Sequence, residues 1–386
     1  MNQKRSIFED VDAEKTATPV ARETGSIDKG TGGGTGGARR AIRGWLSVLF
    51  ALLVVMIAVG GLTRLTDSGL SITEWNVIKG ALPPMNATAW DAEFTKYQAI
   101  PEYQLQNKGM TLPEFKSIYW WEWGHRQLGR IIGLVWALGF FFFLATKRIP
   151  TGWTGRLLTL GVLGGAQGAI GWWMVSSGLT GSMLDVASYR LATHLGLAFV
   201  ILGLIAWYML DLSRPGRDLL QARRAREPRL QAHTTGLIVF AFVQILLGAL
   251  VAGIDAGRNY TDWPLMAGGL LPPDMWQITP VWRNLFENDG TVQFIHRIWG
   301  YLTLLLGLRV WFVSRRSSYT ATKRAVDWMA ALLLGQIALG ILTVMYSAPV
   351  HLALPHQIVA IILWVLILRA RHFAQYPIAQ SIRGTA

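Results

Sequence analysis

The 386-residue chain contains no cysteine. Disulfides, iron–sulfur clusters, thiolate-ligated haem and cysteine-based zinc sites are therefore excluded. Charge is also scarce: 15% of residues are Asp, Glu, Lys or Arg, against 52% hydrophobic. With a mean hydropathy of +0.32, that balance is too apolar for an ordinary soluble domain and fits a chain that crosses a bilayer several times. The 18 Trp agree, because indole favours the membrane–water interface. Acids are outnumbered by bases, giving a net charge of +13. Such an excess can mark a nucleic-acid binder, but here the bases gather in alternate loops between apolar segments. The expected partner is the lipid bilayer, and no nucleic acid is expected. Residues 1–38 lack the apolar run of a secretory signal, and Glu9, Asp10, Asp12 and Glu14 are too many acids for a mitochondrial presequence. Their mixed charge and GTGGGTGG ending read as a disordered tail.

What is present is a set of apolar runs of roughly 20 residues, enough to span a bilayer. They lie near 44–65, 126–146, 157–178, 191–210, 234–254, 295–314, 328–347 and 353–370. Pro355 falls in the first turn of the last run, where a missing N–H is tolerated. Soluble helices buried in a core are the bland alternative, and eight such runs argue against it. Arg39, Arg40 and Arg43, then Lys147, Arg148 and Arg156, then the Arg-rich stretch 214–229, then Arg315, Arg316, Lys323 and Arg324 all occupy loops on one side, as Arg369 and Arg371 do at the end. The opposite loop 66–124 is rich in acids. The excess of positive charge on one side puts both termini in the cytoplasm of a bacterial inner membrane.

The two halves repeat. GLTRLTDSGLSITEWNVIKGALPP after the first run matches GALVAGIDAGRNYTDWPLMAGGLLPP after the fifth, aligning Asp67 with Asp255 and Trp75 with Trp263. His125-Arg126 matches His296-Arg297, Gln167 and Gly171 match Gln336 and Gly340, and His194 matches His356. The expected fold is an all-α polytopic membrane protein of eight transmembrane helices, arranged as two parallel-repeat four-helix bundles. The bundles would be residues 44–211 and 234–372, with a cytoplasmic linker at 212–233 and cytoplasmic tails at 1–43 and 373–386.

His125, His194, His296 and His356 all lie at the outer end of their runs. An imidazole inside a membrane is most readily explained by ligation of a metal or haem. Two imidazoles from facing helices would grip a flat macrocycle from both sides, once per half. Gly129 and Gly133 below His125, and Gly300 below His296, would leave room for the ring. Arg126 and Arg297 follow their histidines and are candidates for holding carboxylates of such a ligand; snorkelling to the interface is the alternative. A single site of four histidines around one ion is the sharpest rival. His233, His351 and His372 break the repeat and read as surface residues.

One position is asymmetric. Glu122, three residues before His125, is replaced in the second half by Gln293, which cannot titrate. A carboxylate beside one site alone suggests proton chemistry in the first half. Trp120, Trp121 and Trp123 would surround it and lower the local dielectric; an exposed loop acid is the alternative.

The segments YWWEWGHRQLGRIIGL (119–134), FIHRIWGY (294–301), TRLTDSGLSITEW (63–75) and LPHQ (354–357) resemble haem A synthase, and the similarity runs through nearly all of residues 44–372. It is similar to the cysteine-free branch of Gram-negative bacteria and mitochondria. The resemblance implies oxidation of haem O to haem A: a methyl group is hydroxylated twice and the gem-diol loses water to leave a formyl group. It further implies that His125 and His194 ligate the substrate haem with Glu122 near the reacting methyl. His296 and His356 would then hold a permanent haem b, and Arg126 and Arg297 would lie near the propionates. Haem O synthase would be the natural donor, and the electron partner is not legible. A di-haem b electron carrier and a repeat-built transporter are the readings from other classes.

Overall fold

The computed structural model describes residues 32–181 and 183–379. Most of the segment read as a disordered tail, residues 1–31, lies outside the described residues, as does the end of the C-terminal tail. All eight apolar runs are helical: α1 (Gly32–Leu65), α2 (Leu112–Ala145), α3 (Thr154–Val175), α4 (Ser188–Leu212), α5 (Pro228–Gly253), α6 (Asp289–Ser314), α7 (Thr320–Met345) and α8 (Val350–Gln375). Seven of them, all but α6, are long and apolar enough to cross a membrane. At 26 residues α6 has the length, but His296, Arg297 and Arg309 interrupt its apolar run. Short helices Ala87–Gln98 and Pro101–Leu105 fill the segment between α1 and α2, and Gly216–Arg224 lies between α4 and α5. No β-strand occurs among the described residues.

Two boundaries differ from expectation for local reasons. α2 begins at Leu112, well before residue 126, because Thr111 and Glu114 form a capping box and Pro113 occupies the first turn. The added turns bury Phe115, Tyr119 and Glu122, whose 4-and-3 spacing lies on one helix face. Hydropathy alone misses this extension, since it packs against protein rather than lipid. α8 begins at Val350, so Pro355 lies inside the helix and not in its first turn; the carbonyl of His351 thereby loses its helical donor.

Within the first half α1 packs on α2, α2 on α3, α3 on α4 and α4 back on α1. The second half closes the same way, α5 on α6, α6 on α7, α7 on α8 and α8 on α5. The halves meet where α4 packs on α5 and α8, and α1 on α8. α4 is the most buried of the seven apolar helices. Its crossing with α8 is tight: a Cβ at Gly203 would lie 2.9 Å from Trp364 Nε1, and that indole donates to the Phe199 carbonyl at 3.1 Å. At the far end, His372 is not a surface residue. It is 1% exposed, bonded through Nε2 to Asp211 at 3.1 Å, and packed on Trp207.

A second, smaller core sits over the first half, built from Leu70, Trp90, Tyr97, Ile100, Phe115 and Tyr119. Glu102 is buried in this cap. One of its oxygens accepts from Asn107 Nδ2 at 3.4 Å and the other has no partner. Burial, reinforced by the negative charges of Asp185, Glu122 and Asp67, pushes its carboxyl up to about 8. The folded state thus keeps a proton that the unfolded chain gives up in the ordinary carboxylate range. Its stability is full below that range and falls as pH rises to about 8. Glu102→Gln should remove this dependence. Its thermal midpoint in detergent should match the wild type near about pH 5 and exceed it at about pH 9; equal midpoints at both would contradict the assignment.

Candidate active site

The four histidines are half-buried, and each is seated on a glycine of the preceding helix. A Cβ at Gly60 on α1 would lie 3.1 Å from His125 Nε2 on α2. The equivalent distances are 2.8 Å for Gly171 to His194, 3.2 Å for Gly248 to His296 and 2.9 Å for Gly340 to His356, all to Cε1. At the shorter of these no side chain fits without moving the ring, so glycine is what lets helix and imidazole touch. One turn before three of the glycines stands a glutamine. Gln167 Nε2 donates to the His194 carbonyl at 2.9 Å, Gln244 to the His296 carbonyl at 3.1 Å, and Gln336 to the His356 carbonyl at 3.0 Å. The same amides lie 3.2 to 3.4 Å from ring nitrogens of their histidines. On α1 the corresponding position is Met56.

The histidines fall two to each half: His125 and His194 on α2 and α4, His296 and His356 on α6 and α8. Among the described residues no three His, Cys, Asp or Glu side chains gather around a point where a metal ion would sit, which argues against one site of four histidines. Two of the three glycines expected to make room have a side chain against them. Gly129 accommodates the Met56 methyl, 3.2 Å from where its Cβ would be, and Gly300 accommodates Gln244 Nε2 at 3.3 Å. Gly133 has open space beside it.

Glu122 is 2% exposed, which excludes an exposed loop acid. Its Oε2 accepts from Ser71 Oγ and from the Ile72 backbone N–H, both at 2.7 Å. Its Oε1 accepts from Arg126 Nε at 3.0 Å and Nη2 at 2.5 Å. Arg126 also donates to the Glu74 carbonyl at 2.8 Å and the Ile72 carbonyl at 2.7 Å. The pair thus staples the loop after α1 to the N-terminal part of α2. In the second half the staple recurs with different chemistry: Gln293 Nε2 donates to the Ala256 and Asn259 carbonyls, and Arg297 to those of Asp262, Leu265 and Tyr260. Trp120 and Trp121 do not wall in the carboxylate. They are 46% and 39% exposed and face outward, so the surroundings of Glu122 are polar and hydrogen-bonded.

The other arginines near this end of the helices have protein partners. Arg130 donates to the Val77 and Asn76 carbonyls and Arg190 to that of Trp173. Arg64 joins the halves, reaching Asp67 at 2.8 Å, Asp255 at 2.9 Å and Asp185 at 3.5 Å. Asp67 and Asp255 share left-handed backbone, φ 49° and 53°, at matched ends of α1 and α5. Burial holds the Asp185 carboxyl above its ordinary range, opposed by the Arg64 charge. A cavity of about 270 Å³ opens beside α6, lined by Trp263, Met266, Phe294, Arg297 and Tyr301 among others.

Residues 43–368 match the COX15-CtaA family, described as cytochrome oxidase assembly proteins. The chain belongs to that family. It is 66% identical over 385 residues to a Dinoroseobacter shibae protein named heme A synthase, covering 100% of this chain and 99% of the relative. Proteins of the same name from Ruegeria pomeroyi and Paracoccus denitrificans are 61% and 59% identical, over 100% and 99% of both chains. The COX15-CtaA match spans both histidine pairs and both loop staples.

Ser71, Met56 and Gln244 were not singled out from sequence. The signal for the last two was there, as the spacing of four that joins Gln167 to Gly171 and Gln336 to Gly340 also joins Gln244 to Gly248 and Met56 to Gly60. Because Glu122 is buried with its charge matched by Arg126, Arg126→Ala should destabilise the detergent-solubilised protein by about 3–5 kcal/mol. The same change made in a Glu122→Gln background should cost clearly less, and additive losses in a double-mutant cycle would rule out the coupling.

Proposed function

We propose that this chain makes haem A, the reaction its relatives are named for, by two hydroxylations of a haem O methyl group and loss of water to a formyl group. The observation that carries the reading is a pair of matched histidine sites of which only one, His125 with His194, has a buried carboxylate one turn away. The residues fit haem. Each site offers two imidazoles from different helices, and the buried oxygens of Gln167, Gln244 and Gln336 and His356 Nδ1 are without partners. In this reading His125 and His194 ligate the substrate haem, and His296 and His356 ligate a resident haem b. Bound haem iron supplies the redox chemistry.

The chain's own residues hold and orient. The staples formed by Glu122 and Arg126, and by Gln293 and Arg297, fix the outer loops over the two sites. Arg126 and Arg297 then present the outer edge of each site to propionates, with most of their donors already committed to the loops. A proton at Glu122 is best accommodated on Oε2, where the Ser71 hydroxyl can turn from donor to acceptor. Oε1 faces only Arg126 donors. Gln293 offers no such exchange, which supports proton handling in the first half alone.

The architecture belonging to this reading has α6 as an eighth span, completing two parallel four-helix bundles. These are residues 44–211 for the substrate and 234–372 for haem b, joined by the linker 212–233. The closed rings of helix packing in each half support it. The basic loops put both termini in the cytoplasm and the sites toward the periplasmic side of a bacterial inner membrane. Haem O synthase is the proposed donor of substrate. A plain di-haem b carrier finds no support among the relatives.

Protein purified from cells that make haem O should yield, on extraction and mass analysis, haem b together with haem O, haem A or the hydroxylated intermediate. Two equivalents of haem b and nothing else would overturn the reading. Glu122→Gln should keep both haems and lower conversion by about 10²–10⁴-fold, whereas His296→Ala should lose haem b.

A further inference from the structure

Resting on that two-site reading, we propose that Met56 makes His125 the yielding ligand of the first site, the imidazole that swings aside when haem enters and leaves. Three of the four histidines share one device. A glutamine amide grips the histidine's carbonyl at 2.9 to 3.1 Å and sits within 3.4 Å of its ring, and a glycine one turn on bears against the ring. The amide thus anchors the backbone at the histidine and lies against its imidazole, so the ring cannot turn without moving past it. His125 has the glycine and lacks the amide.

Met56 and Gln244 occupy the same space. The first packs its methyl against Gly129 and the second its Nε2 against Gly300, and Gly129 and Gly300 each lie four residues after their histidine. The exchange is therefore one of chemistry at a fixed place. A thioether has no N–H to donate, and its unbranched chain adapts its shape to whatever lies beside it. The His125 ring accordingly has no hydrogen-bond partner among the described residues, while His194 across the same site is held by Gln167. In the second site both rings are held, His296 by Gln244 and His356 by Gln336.

The two sites thereby differ as an exchanging site and a retaining one should. A haem between two tethered imidazoles leaves only when both are displaced. A haem between one tethered and one free imidazole would still have to come off both, but the free ring gives way by a rotation that breaks no hydrogen bond. Met56 acts through His125 and is a positioning residue.

The test is the release of bound haem from detergent-purified protein to excess apomyoglobin, followed optically, with EPR of the low-spin ferric signals as a check on ligation. Wild type should release in two phases, the faster belonging to the first site and absent from His125→Ala. Met56→Gln should slow the fast phase by about 10-fold or more, and Met56→Leu should leave it unchanged. Gln244→Met, an independent variant should Met56→Gln not fold, should give the second site a fast phase. A fast phase unchanged in Met56→Gln with both EPR signals intact, or a slow phase unchanged in Gln244→Met, would overturn the role of Met56. Two haem b groups released in one slow phase from the wild type would instead overturn the two-site reading beneath it.

Discussion

The histidine-bearing end of this protein is organised by how closely a helix backbone approaches an imidazole on the next helix. A glycine under each histidine brings α1 to α2, α3 to α4, α5 to α6 and α7 to α8, and each contact sets where an imidazole lies. Larger residues at Gly171 or Gly340 would push the ring away and with it the partner geometry. Helix packing and ligand orientation are therefore a single constraint, which is why the histidines, the glycines and the helix order recur together in both halves.

Above that layer, one mechanical problem is solved twice with different groups. A long outer loop must be fastened to the helix that carries the first histidine of each half. In the second half neutral amide donors meet carbonyls. In the first a carboxylate meets N–H, O–H and guanidinium donors. The carboxylate has partners on both oxygens, whereas Gln293 Oε1 and Arg297 Nε are left buried without one, and only the first half keeps a titratable group inside the structure. The halves thus differ in the chemistry of one structural part while keeping the same helix arrangement.

Much of this is legible in the sequence, because period and composition write it there. Eight apolar runs became eight helices, and the equivalence of Glu122 with Gln293 and of Arg126 with Arg297 appears as equivalent bonds to equivalent loops. What escaped reading depends on neighbours. The early start of α2 rests on Phe115 and Tyr119 packing into a cap core, which hydropathy does not distinguish from an interfacial stretch. Trp120 and Trp121 alternate with the buried face and turn outward. His372 is buried because Asp211 comes from a helix far away in sequence. Gly129 and Gly300 read as space, and the space belongs to Met56 and Gln244.

The crossing of α4 with α8 carries a further consequence. His194 stands on α4 and His356 on α8, and those two helices pack directly, closely enough at Gly203 that an indole fills the gap. Each half thus contributes one histidine-bearing helix to a common wall. Helices packed in this way have axes about 8–10 Å apart, so a shift of one is passed to the other. A substitution that loosens this one crossing would therefore be felt at a histidine of each half at once.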